Sequence, residues 1–195
     1  KAENIRMGQP RPGENRVVFM GNSITEGWSD HMPEFFENKP YVNRGISGQT
    51  TPQMLLRFRQ DVIELKPKVV VILAGTNDLA GNTGPATVEE IFGNICSMAE
   101  LAQTNHIKVV ISAVLPVEDY PWRPGLEPAS KIIALNLLLR KYALDHDHVF
   151  VAYHQAMVNE KQGLLAELTY DGVHPNRAGY LVMAKLVEVA IEAAG

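Results

Sequence analysis

The sequence predicts an α/β protein, an open and doubly wound parallel sheet of five strands set between two layers of helices. Two observations carry this. Five short apolar runs rich in Val and Ile, at 17–20, 41–42 with Ile46, 69–74, 109–115 and 149–153, alternate with amphipathic stretches. The runs are continuous rather than alternating, which is the pattern of strands buried on both faces. Strand and helix signals exchanged in this way build a parallel sheet with helices on each side.

The elements follow in order. Residues 1–15 are polar and rich in Pro and Gly, and predict an extended lead-in over the surface. The first two apolar runs come next as strands. A helix over 51–65 then places Met54, Leu55, Phe58 and Val62 on one stripe. After the third strand, a helix over 87–105 opens on a capping box, Thr87 followed by Glu90. The single cysteine, Cys96, lies there among Ile91, Ile95, Met98 and Leu101, and reads as a small buried hydrophobe. The fourth strand leads to a helix over 128–144 carrying Ile132, Leu135, Leu139 and Tyr142, and the fifth precedes a last helix over 176–193. Without repeats or low-complexity linkers, residues 1–195 are expected to form one domain.

Composition narrows the function classes. At 195 residues and 46% hydrophobic, the chain can bury a core without disulfides or a structural metal. A net charge of −4, a pI near 5.9 and no basic run speak against nucleic acid or an anionic membrane surface as partners. One cysteine excludes an internal disulfide framework. No stretch approaches the ~18–20 apolar residues of a membrane span. The chain begins at Lys1 rather than Met, which suits a soluble protein from which a leader, as in export, or a tag has been cut, and leaves the compartment open.

In a sheet of this class the active crevice lies beyond the carboxyl ends of the strands. Four segments fall there or just before the last helix. They are Gly21-Asn22-Ser23-Ile24-Thr25, Gly45-Ile46-Ser47-Gly48-Gln49-Thr50, Gly75-Thr76-Asn77-Asp78 and Asp171-Gly172-Val173-His174-Pro175-Asn176. Acyl transfer needs a hydroxyl nucleophile, a base, a group that orients the base, and donors for an oxyanion. Ser23 ends a buried strand at a glycine-assisted turn, which exposes its hydroxyl and aims its N–H into the crevice. Asp171 and His174 are spaced so that the carboxylate folds back onto one imidazole nitrogen and leaves the other facing Ser23. The Gly48 N–H and the Asn77 amide complete the donors.

The four segments resemble the four blocks of the SGNH (GDSL-like) hydrolases: Gly-x-Ser, Ser-Gly-x-Thr, Gly-Thr-Asn-Asp and Asp-x-x-His-Pro, in family order from Gly21 to Asn176. The resemblance implies a flavodoxin-like, three-layer α/β/α fold and a serine esterase, thioesterase, lipase or carbohydrate deacetylase. It implies Ser23 as nucleophile, His174 as base with Asp171 behind it, and Ser23, Gly48 and Asn77 as the oxyanion hole. It calls for no cofactor and no metal, and for a small-molecule ester, most simply a short acyl or acetyl ester of a carbohydrate or small lipid. The chain departs from the family in Asn22, where Asp is common, and in Ile24, where Leu is. Thr25 stands where the Gly-x-Ser-x-Gly elbow of α/β-hydrolases has its second glycine, so that fold is disfavoured.

Plainer readings stand beside these. Ser23 suits a helix N-cap, Gly48 a positive-φ turn, and Asn77 a turn cap. A non-catalytic binding domain of the same fold is the alternative function, and the intact set of Ser23, Asp171 and His174 argues against it. The run Asp145-His146-Asp147-His148 holds ligand types, but at the end of the sheet away from the crevice, and reads as a solvated turn. The loop 116–128 carries Tyr120, Trp122 and Arg123 among prolines. Its aromatic residues either wall the substrate pocket or pack the loop down, and Trp28 is open to the same two readings.

Overall fold

The computed structural model describes residues 2–195. Five parallel strands, β1 (Val17–Gly21), β2 (Tyr41–Gly45), β3 (Val69–Leu73), β4 (Lys108–Ser112) and β5 (Val149–Val151), lie in the order β2-β1-β3-β4-β5. The helices are α1 (Ala2–Met7), α2 (Ser23–Glu26), α3 (Trp28–His31), α4 (Thr51–Asp61), α5 (Thr76–Leu79), α6 (Val88–Thr104), α7 (Ala129–Asp145), α8 (Tyr153–Met157) and α9 (Arg177–Ala194). The register aligns Gly21 with Gly45 and with Leu73, so the ends of β1, β2 and β3 open onto one edge. This is the expected doubly wound α/β architecture.

Alternate strand residues feed two cores. Val18, Met20, Val70, Ile72, Val109 and Ile111 meet Met54, Phe58, Ile91, Ile95, Leu135 and Leu139 from α4, α6 and α7. Val17, Phe19, Val69, Val71 and Val110 meet Tyr180, Met183 and Val187 from α9, with Trp28 and Phe35 beside them. Cys96 is buried as expected. Thr87 caps α6, accepting from the Glu90 N–H at 3.2 Å while the Glu90 carboxylate accepts from the Thr87 N–H at 2.8 Å.

Several boundaries differ from the sequence reading, three of them by the most. The lead-in is not extended throughout, because Ala2–Met7 is helical. The Asn4 amide donates to the Gln60 carbonyl at 2.8 Å and to Asp61 at 3.2 Å, tying α1 to the end of α4. The apolar run 109–115 outlasts its strand. Beyond Ser112 the Asn136 side chain of α7 takes both backbone groups of Val114, at 2.8 and 2.9 Å, in place of a neighbouring strand. The helix over 51–65 stops at Asp61 and continues as a 3₁₀ turn over Ile63–Leu65. Among the described residues no helix is long and apolar enough to cross a membrane.

Candidate active site

The turn after β1 is set by close approach. A Cβ on Gly21 would fall 2.0 Å from the Thr25 hydroxyl, and one on Gly45 would fall 2.0 Å from the Glu26 nitrogen. Bare backbone at both positions lets α2 sit directly on the ends of β1 and β2. Asn22, not Ser23, is the N-cap of α2, its Oδ1 accepting from the Ile24 N–H at 3.0 Å. Ser23 is therefore left with a hydroxyl not spent on its helix, and that hydroxyl lies 2.9 Å from Nε2 of His174.

His174 is held by its own loop. Its Nδ1 lies 2.7 Å from Asp171 Oδ2, while Asp171 Oδ1 accepts from the N–H groups of Val173 at 2.9 Å and His174 at 2.7 Å. Burial pushes the Asp171 carboxyl up, but the His174 backbone and side chain and the Val173 N–H outweigh it and hold the group below the usual carboxylate value. With Nδ1–H given to this carboxylate, Nε2 is the acceptor for the Ser23 O–H. Thr169 closes the loop. Its hydroxyl donates to the His174 carbonyl at 2.6 Å and accepts from the Gly172 N–H at 3.0 Å. The sequence reading missed Thr169, a threonine with no motif to mark it.

Hydrogen bonds tie together the two turns that carry Gly48 and Asn77. Gly48 has φ +75°, so its turn uses glycine's backbone freedom, and its N–H has no hydrogen-bond partner among the described residues. One proton of the buried Asn77 amide goes to the Gln49 carbonyl at 3.0 Å, and the second has no hydrogen-bond partner among the described residues. Asp78 joins the same two segments, accepting from the Thr51 N–H at 2.9 Å and the Thr51 hydroxyl at 2.5 Å. Burial raises the Asp78 carboxyl, and the hydrogen bonds from Thr51 work against that rise. Beneath them runs the buried Arg57. Its Nη2 donates to the Gly21 and Arg44 carbonyls at 3.0 and 2.8 Å, and its Nε to Gln49 Oε1 at 2.5 Å. One guanidinium so joins the ends of β1 and β2 to the Gly48 turn. The sequence reading missed Arg57; its i,i+4 spacing to Asp61 is visible in the sequence, but not that the pair turns inward.

The aromatic residues divide. Trp28 is 2% exposed, stacked on Phe35 at 4.6 Å and on Tyr180 at 5.4 Å, so it belongs to the core and not to a pocket wall. Tyr120 is 0% exposed and its hydroxyl donates to the Thr76 carbonyl at 2.9 Å. It props the turn that carries Asn77 and has no surface for a substrate. Both rings are drawn inward because their apolar area is better buried and, for Tyr120, a backbone acceptor is within reach. Trp122 does reach the rim, 44% exposed with its ring 6.0 Å from that of His174. Tyr170, which the sequence reading did not single out, also flanks His174, 61% exposed and parallel to it at 5.8 Å. Its position directly before Asp171 was the available signal. The Asp145–His148 run lies where α7 runs into β5, with His146 stacked on Tyr142 at 4.1 Å. Among the described residues no group of three or more His, Cys, Asp or Glu is arranged to hold a metal ion.

The sequence pattern that defines the GDSL-like lipase/acylhydrolase family matches residues 19–182. The fold is similar to the crystal structure of a GDSL-like lipase from Bacteroides thetaiotaomicron, with a TM-score of 0.97 and 51% identity over 100% of this chain and 96% of that one. The sequence is 27% identical over 182 residues to the platelet-activating factor acetylhydrolase IB subunit alpha2 of Homo sapiens, covering 88% of this chain and 74% of the relative. The fold is also shared with an acetyl xylan esterase, AlAXEase, at a TM-score of 0.71 and 22% identity over 90% of this chain and 98% of that one.

Proposed function

Because the chain belongs to the GDSL-like lipase/acylhydrolase family, and so to hydrolases that act on esters, we propose that it is a metal-independent serine esterase working through an acyl-enzyme on Ser23. The observation that carries this reading is the unbroken chain from the Ser23 hydroxyl to His174 Nε2 at 2.9 Å and from His174 Nδ1 to Asp171 at 2.7 Å. The Ser23 oxygen attacks the ester carbonyl as its proton passes to Nε2. The oxyanion of the tetrahedral intermediate takes hydrogen bonds from the N–H groups of Ser23 and Gly48 and from the free proton of Asn77. Collapse breaks the bond to the alcohol oxygen, which leaves with the proton from His174. Water, deprotonated by the same imidazole, then attacks the acyl-enzyme and releases the acid. Every proton has a donor and an acceptor in this set, so the cycle needs no metal.

A short acyl ester, acetyl on a carbohydrate or a small lipid, is the substrate we favour. The acetylhydrolase and the acetyl xylan esterase among the similar proteins support acetyl as the acyl half. A fluorophosphonate probe tests the nucleophile, because it reacts with a serine that has both a base and an oxyanion hole. It is expected to label Ser23, and labelling should vanish in Ser23→Ala. An adduct mapped to another serine in the active protein overturns the assignment.

A further inference from the structure

We propose that Arg123 is a specificity residue, one that selects esters carrying an anionic oxygen group, a carboxylate or a phosphate, on the alcohol half. The proposal rests on the esterase reading above and goes beyond it by naming a property of the substrate. Arg123 follows Trp122, whose ring stands 6.0 Å from His174. Its Nη1 donates to the Ala80 carbonyl at 2.9 Å and to the Gly81 carbonyl at 2.8 Å. Those carbonyls belong to the turn of Asn77. The Asn82 N–H donates to the Asn77 carbonyl at 3.0 Å, and the Asn82 amide to the Gly48 carbonyl at 3.3 Å. The guanidinium therefore stands on the rim that the proposed oxyanion donors and Trp122 share.

The seat is built for it. Gly81 has φ +69°, and a Cβ there would come within 2.4 Å of Nη1. The two bonds use both protons of Nη1 and fix the plane of the group. The Nε–H and the two Nη2 protons have no partner among the described residues, and Arg123 is exposed. Two carboxylates of the same loop are engaged elsewhere. Asp119 accepts from the N–H groups of Tyr120, Gly125 and Leu126, and Glu118 faces Lys161. The free Nε–Nη2 edge is the one that grips a carboxylate or a phosphate with two parallel hydrogen bonds. A group already pinned in place loses little freedom when it binds. Stapling the loop uses a single nitrogen and leaves this edge unexplained.

Three aryl acetates with one acyl half test the idea: 4-acetoxybenzoate, 4-acetoxyphenyl phosphate and the neutral methyl 4-acetoxybenzoate. The readout is the ratio of kcat/KM for an anionic ester to that for the neutral one, compared between proteins so that intrinsic reactivity cancels. Arg123→Gln should lower the ratio by about fivefold for at least one anion, the upper end expected of an exposed pair joined by two hydrogen bonds. Arg123→Lys should recover part of it, and added salt should lower it in the parent protein. Which arm responds tells a carboxylate from a phosphate. If Arg123 only staples the loop, its variant loses thermal stability and slows on all three esters alike, which overturns the proposal. Hydrolysis of the neutral ester that vanishes in Ser23→Ala keeps the esterase reading in place if the ratio does not move. Absence of hydrolysis of all three esters defeats that reading and the proposal together.

Discussion

Between Thr169 and Pro175 the bonds that shape the acid–base half of the site stay within one short loop. Asp171 folds back onto two N–H groups and an imidazole no more than three residues ahead of it, and Thr169 clips the ends. The donor half is made differently. The Asn77 amide is aimed by a carbonyl 28 residues away, Asp78 holds Thr51 across 27, and Arg57 reaches the end of β1 across 36. One half is a closed local circuit, and the other exists only when α4, α5 and the ends of β1 and β2 are packed together. A loop of the first kind keeps its geometry wherever the chain places it. A site of the second kind inherits every disturbance of the core beneath it.

Among the residues that hold the site rather than react in it, Asp171→Asn should have the largest effect, a fall in kcat of about 10⁴ as the imidazole loses the tautomer that accepts from Ser23. Steady-state kinetics with a thermal melt on the same preparation checks it, and a loss below tenfold would break the claim that this loop orients His174. The acid limb sharpens it. Because the folded pKa of Asp171 is depressed, its contribution to stability is present above the unfolded value near 3.8 and is lost as pH falls through the folded value. The Asn variant should lack that step.

Asn77→Ala comes next, with a fall in kcat of about 10²–10³ and only a few-fold change in KM, because the lost bond strengthens as charge develops on the carbonyl oxygen. A protein destabilised by roughly 0.5–2 kcal/mol with near-normal turnover would instead make Asn77 a turn cap. Thr169→Val should have the smallest effect. It removes the clip but leaves the Asp171 bonds, so turnover should fall about 3- to 10-fold with roughly 1 kcal/mol of stability lost, and Thr169→Ser should restore both. Urea unfolding beside kinetics measures the pair. An unchanged kcat would mean that Asp171 alone holds the loop.

Legibility followed the same division. Asp171 and His174 could be paired on spacing alone, since a three-residue step in a loop fixes how far apart the side chains start. Gly48 and Asn77 could be named from their blocks, but not the Gln49 carbonyl that aims the amide, nor Asp78 and Arg57 behind it. Trp28 and Tyr120 show the limit most plainly. Trp28 sits near a block and Tyr120 in a loop that suggested a pocket wall, and both rings turned into the interior, whereas Trp122, two residues beyond Tyr120, turned out to the rim.

The sequence by itself determined the strands, the four long helices, the order in which functional segments meet the carboxyl edge of the sheet, and the spacing of the acid–base loop. These rest on apolar periodicity, capping and short spacings, and each is an interaction between neighbours along the chain. Only the tertiary structure decided that α1 docks by Asn4, that Arg57 ties two strand ends to the Gly48 turn, and that Gly81 seats Arg123. Such contacts join residues far apart in sequence. Their energy depends on what the rest of the fold brings within a few ångströms, and no local pattern carries that distance.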